Sequence, residues 1–210
     1  MAVAVTAVGV TGDVGAGKST VARLMEAAGG VRLDADVVAL ALWERPDIRK
    51  AAVARWGEGI LDPTGAIDRR AVAGRIFSNP AEHRWCCDLF HPLVMVDLEH
   101  RVAGLSASQW GVVEIPLLFE VGRPEWLTSV VFVTAPWEVR AERCRVQRGW
   151  DEAELRRREG FFLPSEERMK LSDFVINNAG GREALEAEVG RIVRINQNSI
   201  GPVSEKKKIT

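Results

Sequence analysis

Residues Gly12-Asp13-Val14-Gly15-Ala16-Gly17-Lys18-Ser19 satisfy the pattern G-x-x-x-x-G-K-[ST] without a mismatch, and Thr20 follows. This spacing serves to hold phosphate. Glycines let successive backbone N–H groups turn inward, and the start of the next helix adds positive dipole. Lys18 would reach the β- and γ-phosphates of a nucleotide, while the Ser19 hydroxyl would bind Mg²⁺. An apolar run precedes the motif and a helical pattern follows it, which is the context the loop requires. Its second position is an acid, Asp13. Because the backbone and Lys18 face the phosphates, the Asp13 side chain is expected to point outward, toward a second substrate or an arginine of a covering segment.

Two further groups could act on a held phosphate. Leu33-Asp34-Ala35-Asp36 closes the second apolar run, and in an open α/β sheet the carboxyl ends of the strands line the ligand crevice. Carboxylates at i and i+2 of an extended chain face the same way, and one of them could orient or deprotonate an attacking hydroxyl. The spacing fits equally well a helix N-cap at Asp36, which precedes the helical stretch VVALALW. The second group is basic: Arg140, Arg143, Arg145 and Arg148, then Arg156, Arg157 and Arg158. Arginines on a mobile cover neutralise a transferring phosphoryl group. Most of these seven are expected to pair with glutamates on a solvated helix.

These residues need elements that bring them together. Continuous apolar runs at 2–10, 31–36, 112–119, 129–135 and 174–177 suit strands buried on both faces of a parallel sheet. Helical spacing follows the phosphate loop from Ser19 to Ala28 and recurs over Arg182–Ile195. Alternating strand and helix predicts a three-layer α/β domain. Residues 37–107 are too long for one crossover helix and break at Arg45-Pro46, Asp62-Pro63 and Asn79-Pro80. They read as a substrate-binding insertion, and the charged segment 138–170 reads as a helical lid whose second piece starts at an Asp151/Glu154 capping box. The core is then 1–36, 108–137 and 171–195, with 196–210 a disordered polar tail.

The totals agree with this plan. A chain of 210 residues with 47% hydrophobic and 27% charged residues is an ordinary globular composition. A net charge of −1 provides no overall field for nucleic acid or an anionic membrane. The first apolar run is too short to span a bilayer, and no basic residue precedes it, so neither a signal peptide nor a membrane partner is expected and the cytoplasm is the expected compartment. Three cysteines and three scattered histidines fit neither a disulfide framework nor a zinc site.

In order and spacing, the chain resembles the dephospho-CoA kinases over roughly residues 5–195. The resemblance rests on GVTGDVGAGKST, LDADVVA, GAIDRRAVAGRIFSNP, HPLV, EIPLLFE and SDFVINNAG. It implies a P-loop kinase fold with a five-stranded parallel sheet, and transfer of the γ-phosphate of ATP to the ribose 3′-hydroxyl of dephospho-CoA. Under it Asp36 becomes the general base. Gly12 to Thr20 hold ATP, Ser19 holds Mg²⁺, and Asn178 lies near the adenine of ATP. Arg143 and Arg148 are the lid arginines that join Lys18 in catalysis. Asp34 and Asp36 with His91, Pro92, Pro116, Leu117 and Leu118 border the acceptor. The family commonly has glycine where this chain has Asp13 and glutamine where it has Phe162. A monomer or small homo-oligomer is expected. Two other readings remain in view: a kinase for another small acceptor, such as a nucleoside monophosphate, and a nucleotide-regulated switch.

Overall fold

The central strand is the one that carries the phosphate loop. In the structure, a computed structural model that describes residues 6–198, β1 (Ala7–Gly12) runs into the loop and α1 (Lys18–Ala27) leaves it. β2 (Val31–Asp34) and α2 (Ala35–Leu42) follow without a connecting loop. The prolines then act as expected. Pro46 opens α3 (Pro46–Trp56), Asp68 caps α4 (Arg69–Ile76), and Asn79-Pro80 starts α5 (Pro80–Ala103). β3 (Gly111–Glu114) leads through Pro116 to a single turn, α6 (Leu118–Val121). β4 (Ser129–Thr134) feeds three helices, α7 (Trp137–Arg148), α8 (Glu152–Glu159) and α9 (Ser165–Lys170). β5 (Phe174–Asn177) and α10 (Arg182–Asn198) complete the described chain.

All five strands are parallel, in the order β2-β3-β1-β4-β5. Alternate residues face opposite ways. Val8, Val10, Val112, Val131 and Val133 join Met25 of α1 and Val189 and Ile192 of α10 in one core. Ala7, Val113 and Val130 face the other way, onto Val38 of α2 and Val94 and Leu98 of α5. Each large apolar side chain so buried stabilises the layers by about 1.5–3 kcal/mol. The connection from β1 runs to β2 on one side of the sheet and that from β3 crosses to β4 on the other, so the carboxyl ends of β1 and β3 flank the crevice where α/β folds bind ligands.

Two segments have small cores of their own. Trp43, Trp56 and Trp85 gather around Ala52, Ile60 and Val72 in the 37–107 segment. Trp137, Trp150 and Phe162 pack with Val14, Cys144 and Leu155 beside the phosphate loop.

Several boundaries differ from the sequence expectation. The first strand begins at Ala7 and reaches Gly12 rather than ending at residue 10; residues 2–5 lie outside the described residues. The run 112–119 is strand only to Glu114, because Pro116 has no N–H for the ladder. α10 continues through Asn198, so the start of the expected tail is helical; residues 199–210 lie outside the described residues.

Candidate active site

The phosphate loop is held open from behind. A loop that aims its amides at a ligand must turn its carbonyls away, and each buried carbonyl needs a donor. Arg168 Nη1 donates to the Gly12 carbonyl at 3.3 Å, while Lys18 Nζ, on the cleft side, donates to those of Gly12 and Asp13 at 3.2 and 3.0 Å. Arg140 Nη1 reaches the Val14 carbonyl at 3.2 Å. The Ala16 carbonyl accepts from Asn178 Nδ2 at 2.8 Å and Arg143 Nη1 at 3.2 Å. Glycine is obligatory at the start of this path: Gly12 has φ +147°, and a Cβ there would lie 2.0 Å from the Val133 carbonyl oxygen. Gly17, at φ +97°, would place a Cβ 2.5 Å from Asn178 Nδ2.

Asp13 departs from the expectation. It is buried, not outward-facing. Its carboxylate pairs with Arg168 Nη2 at 2.9 Å and accepts from Thr134 Oγ1 at 2.7 Å and Ser165 Oγ at 3.0 Å. Both members of the ion pair are almost fully enclosed. An arginine of the covering segment does meet Asp13, but it belongs to α9 rather than to the basic set, and it lies beneath the loop.

Lys18 and Ser19 stand at the front. Ser19 Oγ donates to Glu114 Oε1 at 2.7 Å, and the other Glu114 oxygen accepts from Arg32 at 2.9 Å. Burial lowers the Lys18 ammonium to a pKa of about 8, with Glu114 opposing the shift and Arg148 adding to it. A triphosphate favours the charged form, so binding below about pH 8 needs no proton and binding above it takes one up. Nucleotide affinity should therefore fall by about tenfold per pH unit above that point. Calorimetry at pH 9 in buffers of different ionisation enthalpy should record uptake of nearly one proton; none taken up would remove Lys18 as the titrating contact.

The acid pair divides its roles. Asp34 ends β2 and caps α2, its Oδ1 accepting from the amides of Asp36 at 2.9 Å and Val37 at 3.4 Å, while its Oδ2 pairs with Arg32 at 2.8 Å. The cap is thus Asp34, not Asp36, because the strand ends two residues earlier than the apolar run. Asp36 rides on the first turn of α2 and faces the cleft. Although its side chain is open to solvent, the protein around the cleft desolvates it and raises its pKa, as do the Asp34 and Glu114 carboxylates, with Lys18 and Arg148 opposing.

The arginines sort by partner. Arg140 is buried against Glu159 and backbone carbonyls. Arg145 pairs with Glu142, Arg156 with Glu152, and Arg157 with Glu154. Arg143 lines the cleft, but its donors go to the Ala16 and Asn178 carbonyls. Arg148 lies over the Trp150 ring at 4.7 Å, lines the cleft, and has no carboxylate partner among the described residues. Arg158 is sandwiched between Trp150 at 3.9 Å and Phe77 at 4.2 Å while paired with Glu154. Glu154 serves these arginines, so only the Asp151 half of the expected capping box forms, Asp151 Oδ1 accepting from the Glu154 amide at 2.8 Å. Phe161 stacks on His83 at 4.3 Å, which joins this segment to α5 across the cleft.

The cleft measures about 880 Å³ and takes in Gly15, Gly17, Lys18, Ser19, Asp36, Glu114 and Asn178. Pro116 and Leu117 line both it and a second cavity of about 320 Å³ against the 37–107 segment, where His91 also lies. Leu118 is core beneath them, and Pro92 is exposed on α5; neither lines either of these two cavities. Val14 and Ala16 are buried in the loop, and Thr20 is exposed at the start of α1.

The sequence profile of the dephospho-CoA kinase family matches residues 6–183. The chain belongs to that family. A dephospho-CoA kinase from Anaeromyxobacter dehalogenans is 37% identical over 189 residues, covering 89% of this chain and 90% of that one. The crystal structure of a Thermus thermophilus protein matches with a TM-score of 0.76 at 32% identity, covering 91% of this chain and 97% of that one. A dephospho-CoA kinase from Campylobacter jejuni shares the fold, with a TM-score of 0.67 at 23% identity over 92% of this chain and 98% of that one.

The residues that the sequence reading passed over are Glu114, Arg168 and Trp150, and Arg158 is singled out there only as one of the basic set. Glu114 carried a signal, an acid closing an apolar run. Its importance depends on β3 lying beside β1, which is a matter of strand order. Arg168 gave no local sign, since its partners lie more than 150 residues away.

Proposed function

We propose that the chain transfers the γ-phosphoryl group of ATP to the ribose 3′-hydroxyl of dephospho-CoA, giving coenzyme A. The observation that carries this reading is the place of Asp36. It stands where the phosphate-loop cleft meets the second cavity, close enough to Lys18 and Arg148 for each to affect its titration. A donor phosphate on one side and an acceptor hydroxyl on the other would meet at this carboxylate.

In this reading the amides of Val14, Gly15, Gly17, Lys18 and Ser19, which line the cleft, cradle the triphosphate, whereas the Asp13 amide is spent on the Val133 carbonyl, and Asn178 lies beside the adenine of ATP. Lys18 and Arg148 offset the charge that develops on the transferring group, and Arg143 braces the loop from behind. Asp36 accepts the hydroxyl proton as the acceptor attacks in line; a carboxyl group titrating above its usual range is better matched to that task. Mg²⁺ fits the oxygens of Ser19 and Glu114, since a hard cation takes one or two protein oxygens and completes its shell with phosphate and water. It would neutralise phosphate charge there. The division into a core, an acceptor insertion at 37–107 and a lid at 138–170 belongs to the same proposal, with lid closure excluding water. No helix among the described residues is long and apolar enough to cross a membrane. A cytoplasmic monomer or small homo-oligomer suits a diffusible substrate.

The test is direct. The protein is incubated with Mg²⁺-ATP and, separately, dephospho-CoA, AMP, CMP or no acceptor, with ADP measured and products identified by mass. ADP formation that depends on dephospho-CoA, with coenzyme A as product, is the expected result. Equal ADP formation in the tube without acceptor would refute the reading, and turnover of AMP or CMP in its place would transfer it to a nucleoside monophosphate kinase.

A further inference from the structure

Arg148 is restrained differently from its neighbours in the basic set. Arg143 donates to backbone carbonyls and Arg145 pairs with Glu142, but Arg148 has neither a hydrogen bond nor a carboxylate partner among the described residues. It is exposed at the end of α7, lines the cleft, and lies near enough to Lys18 and Asp36 to lower the pKa of each. A free arginine there would spread over many rotamers, and ordering it at each turnover would cost conformational entropy. Its one aromatic contact among the described residues is Trp150, whose ring centroid lies 4.7 Å from the guanidinium carbon.

The ring is fixed independently of the arginine. Gly149 closes α7 at φ +67°, and the Trp150 amide bonds back to the Cys144 carbonyl at 3.3 Å. The next residue, Asp151, caps α8, so the Trp150 backbone is pinned on both sides. Its indole packs with Cys144, Leu155 and Val14, and Val14 belongs to the phosphate loop. Toward the acceptor side, Arg158 lies 3.9 Å from the same ring and 4.2 Å from that of Phe77, which lines both cavities. Glu154 pairs with Arg158 at 2.7 Å, so this second guanidinium carries little charge to repel Arg148 from the ring.

A ring suits a cation that must work on phosphate. A carboxylate partner would offset the charge that the phosphoryl group needs and would occupy N–H donors. An aromatic face attracts the guanidinium through its quadrupole and leaves the donors at the guanidinium edge free. We propose that Trp150 is the positioning residue for Arg148, holding its guanidinium over the cleft with charge and donors available to the transferring group. The proposal rests on the reading of the chain as a kinase in which Arg148 meets the phosphates.

Two substitutions separate positioning from packing. Trp150→Leu keeps an apolar side chain in the small core but removes the aromatic face, whereas Trp150→Phe also loses volume but keeps the face. Both should lower Tm. Only Trp150→Leu should lower kcat, by about tenfold, with the KM of ATP within about twofold, because what is lost is alignment in the transition state. In an Arg148→Met background, Trp150→Leu should cost no further kcat. Equal losses in the Leu and Phe variants, or an undiminished loss without Arg148, overturn the proposal. A second measurement needs no turnover and no ligand. NMR relaxation of the Arg148 Nε–H, assigned by its absence from Arg148→Met, should report an ordered guanidinium in wild-type protein and Trp150→Phe, and a mobile one in Trp150→Leu. A guanidinium already mobile in wild-type protein, or equally ordered in both variants, overturns the proposal as well. Wild-type turnover of dephospho-CoA tests the underlying function separately.

Discussion

Asp36→Asn is expected to lower kcat by about 10²–10⁴-fold while leaving ATP binding within about twofold. The amide keeps the shape of the side chain and its place on the first turn of α2, so the cap from Asp34 and the loop contacts of Lys18 remain. What it removes is the basic oxygen at the meeting of the two cavities. Lys18→Ala, by contrast, should lose both turnover and affinity, because its ammonium touches the loop and faces the phosphates. The pH profile adds a check with a definite sign. Asp36 acts as a base only when ionised, and desolvation at the cleft together with two neighbouring carboxylates raises its pKa. The acid limb of kcat/KM should then lie above the ordinary aspartate range, and activity should fall as pH drops through it. An Asp36→Asn variant with near-normal turnover would sink the base assignment.

The second large effect concerns Asp13 and Arg168. Arg168→Leu should destabilise the fold by about 3–5 kcal/mol, because removing one partner leaves an enclosed carboxylate without its counter-charge. For a chain of this size that is a fall in Tm of about 6–20 °C. The stranded carboxylate also lies beneath the phosphate loop, so ATP affinity should weaken in the same variant. Adding Asp13→Asn should restore most of both losses, since a neutral amide can still bond Thr134 and Ser165. The double-mutant cycle decides the matter: if the second substitution recovers neither melting temperature nor affinity, the two residues act independently and the electrostatic account fails.

Much of this site was legible in the residues. The phosphate loop announces itself because its function depends on local backbone geometry, which glycine spacing encodes. β5 follows FVIN residue for residue because turn formers bound it on both sides. The acid pair was legible in kind but not in assignment. A strand ending at Asp34 rather than Asp36 makes Asp34 the cap and leaves Asp36 free to face the cleft, and apolar pattern does not resolve a two-residue boundary. Glu114 and Arg168 were hidden for another reason. Their roles arise from contacts of long sequence separation, across neighbouring strands for one and beneath the loop for the other. The basic set shows the same limit in reverse, since seven similar arginines on paper take up ion pairs, carbonyl contacts and an open cleft position in space.

The carbonyl contacts behind the phosphate loop carry a consequence for biosynthesis. Arg140, Arg143, Arg168 and Asn178 all come late in the chain, whereas the loop that they brace ends at Ser19. A nascent polypeptide emerging from the ribosome carries the complete motif long before it carries these four donors. Domains mature as units during synthesis, so nucleotide competence arrives only once residue 178 has been made and folded back. Bound ATP would thus report a chain that is made and folded at least through Asn178.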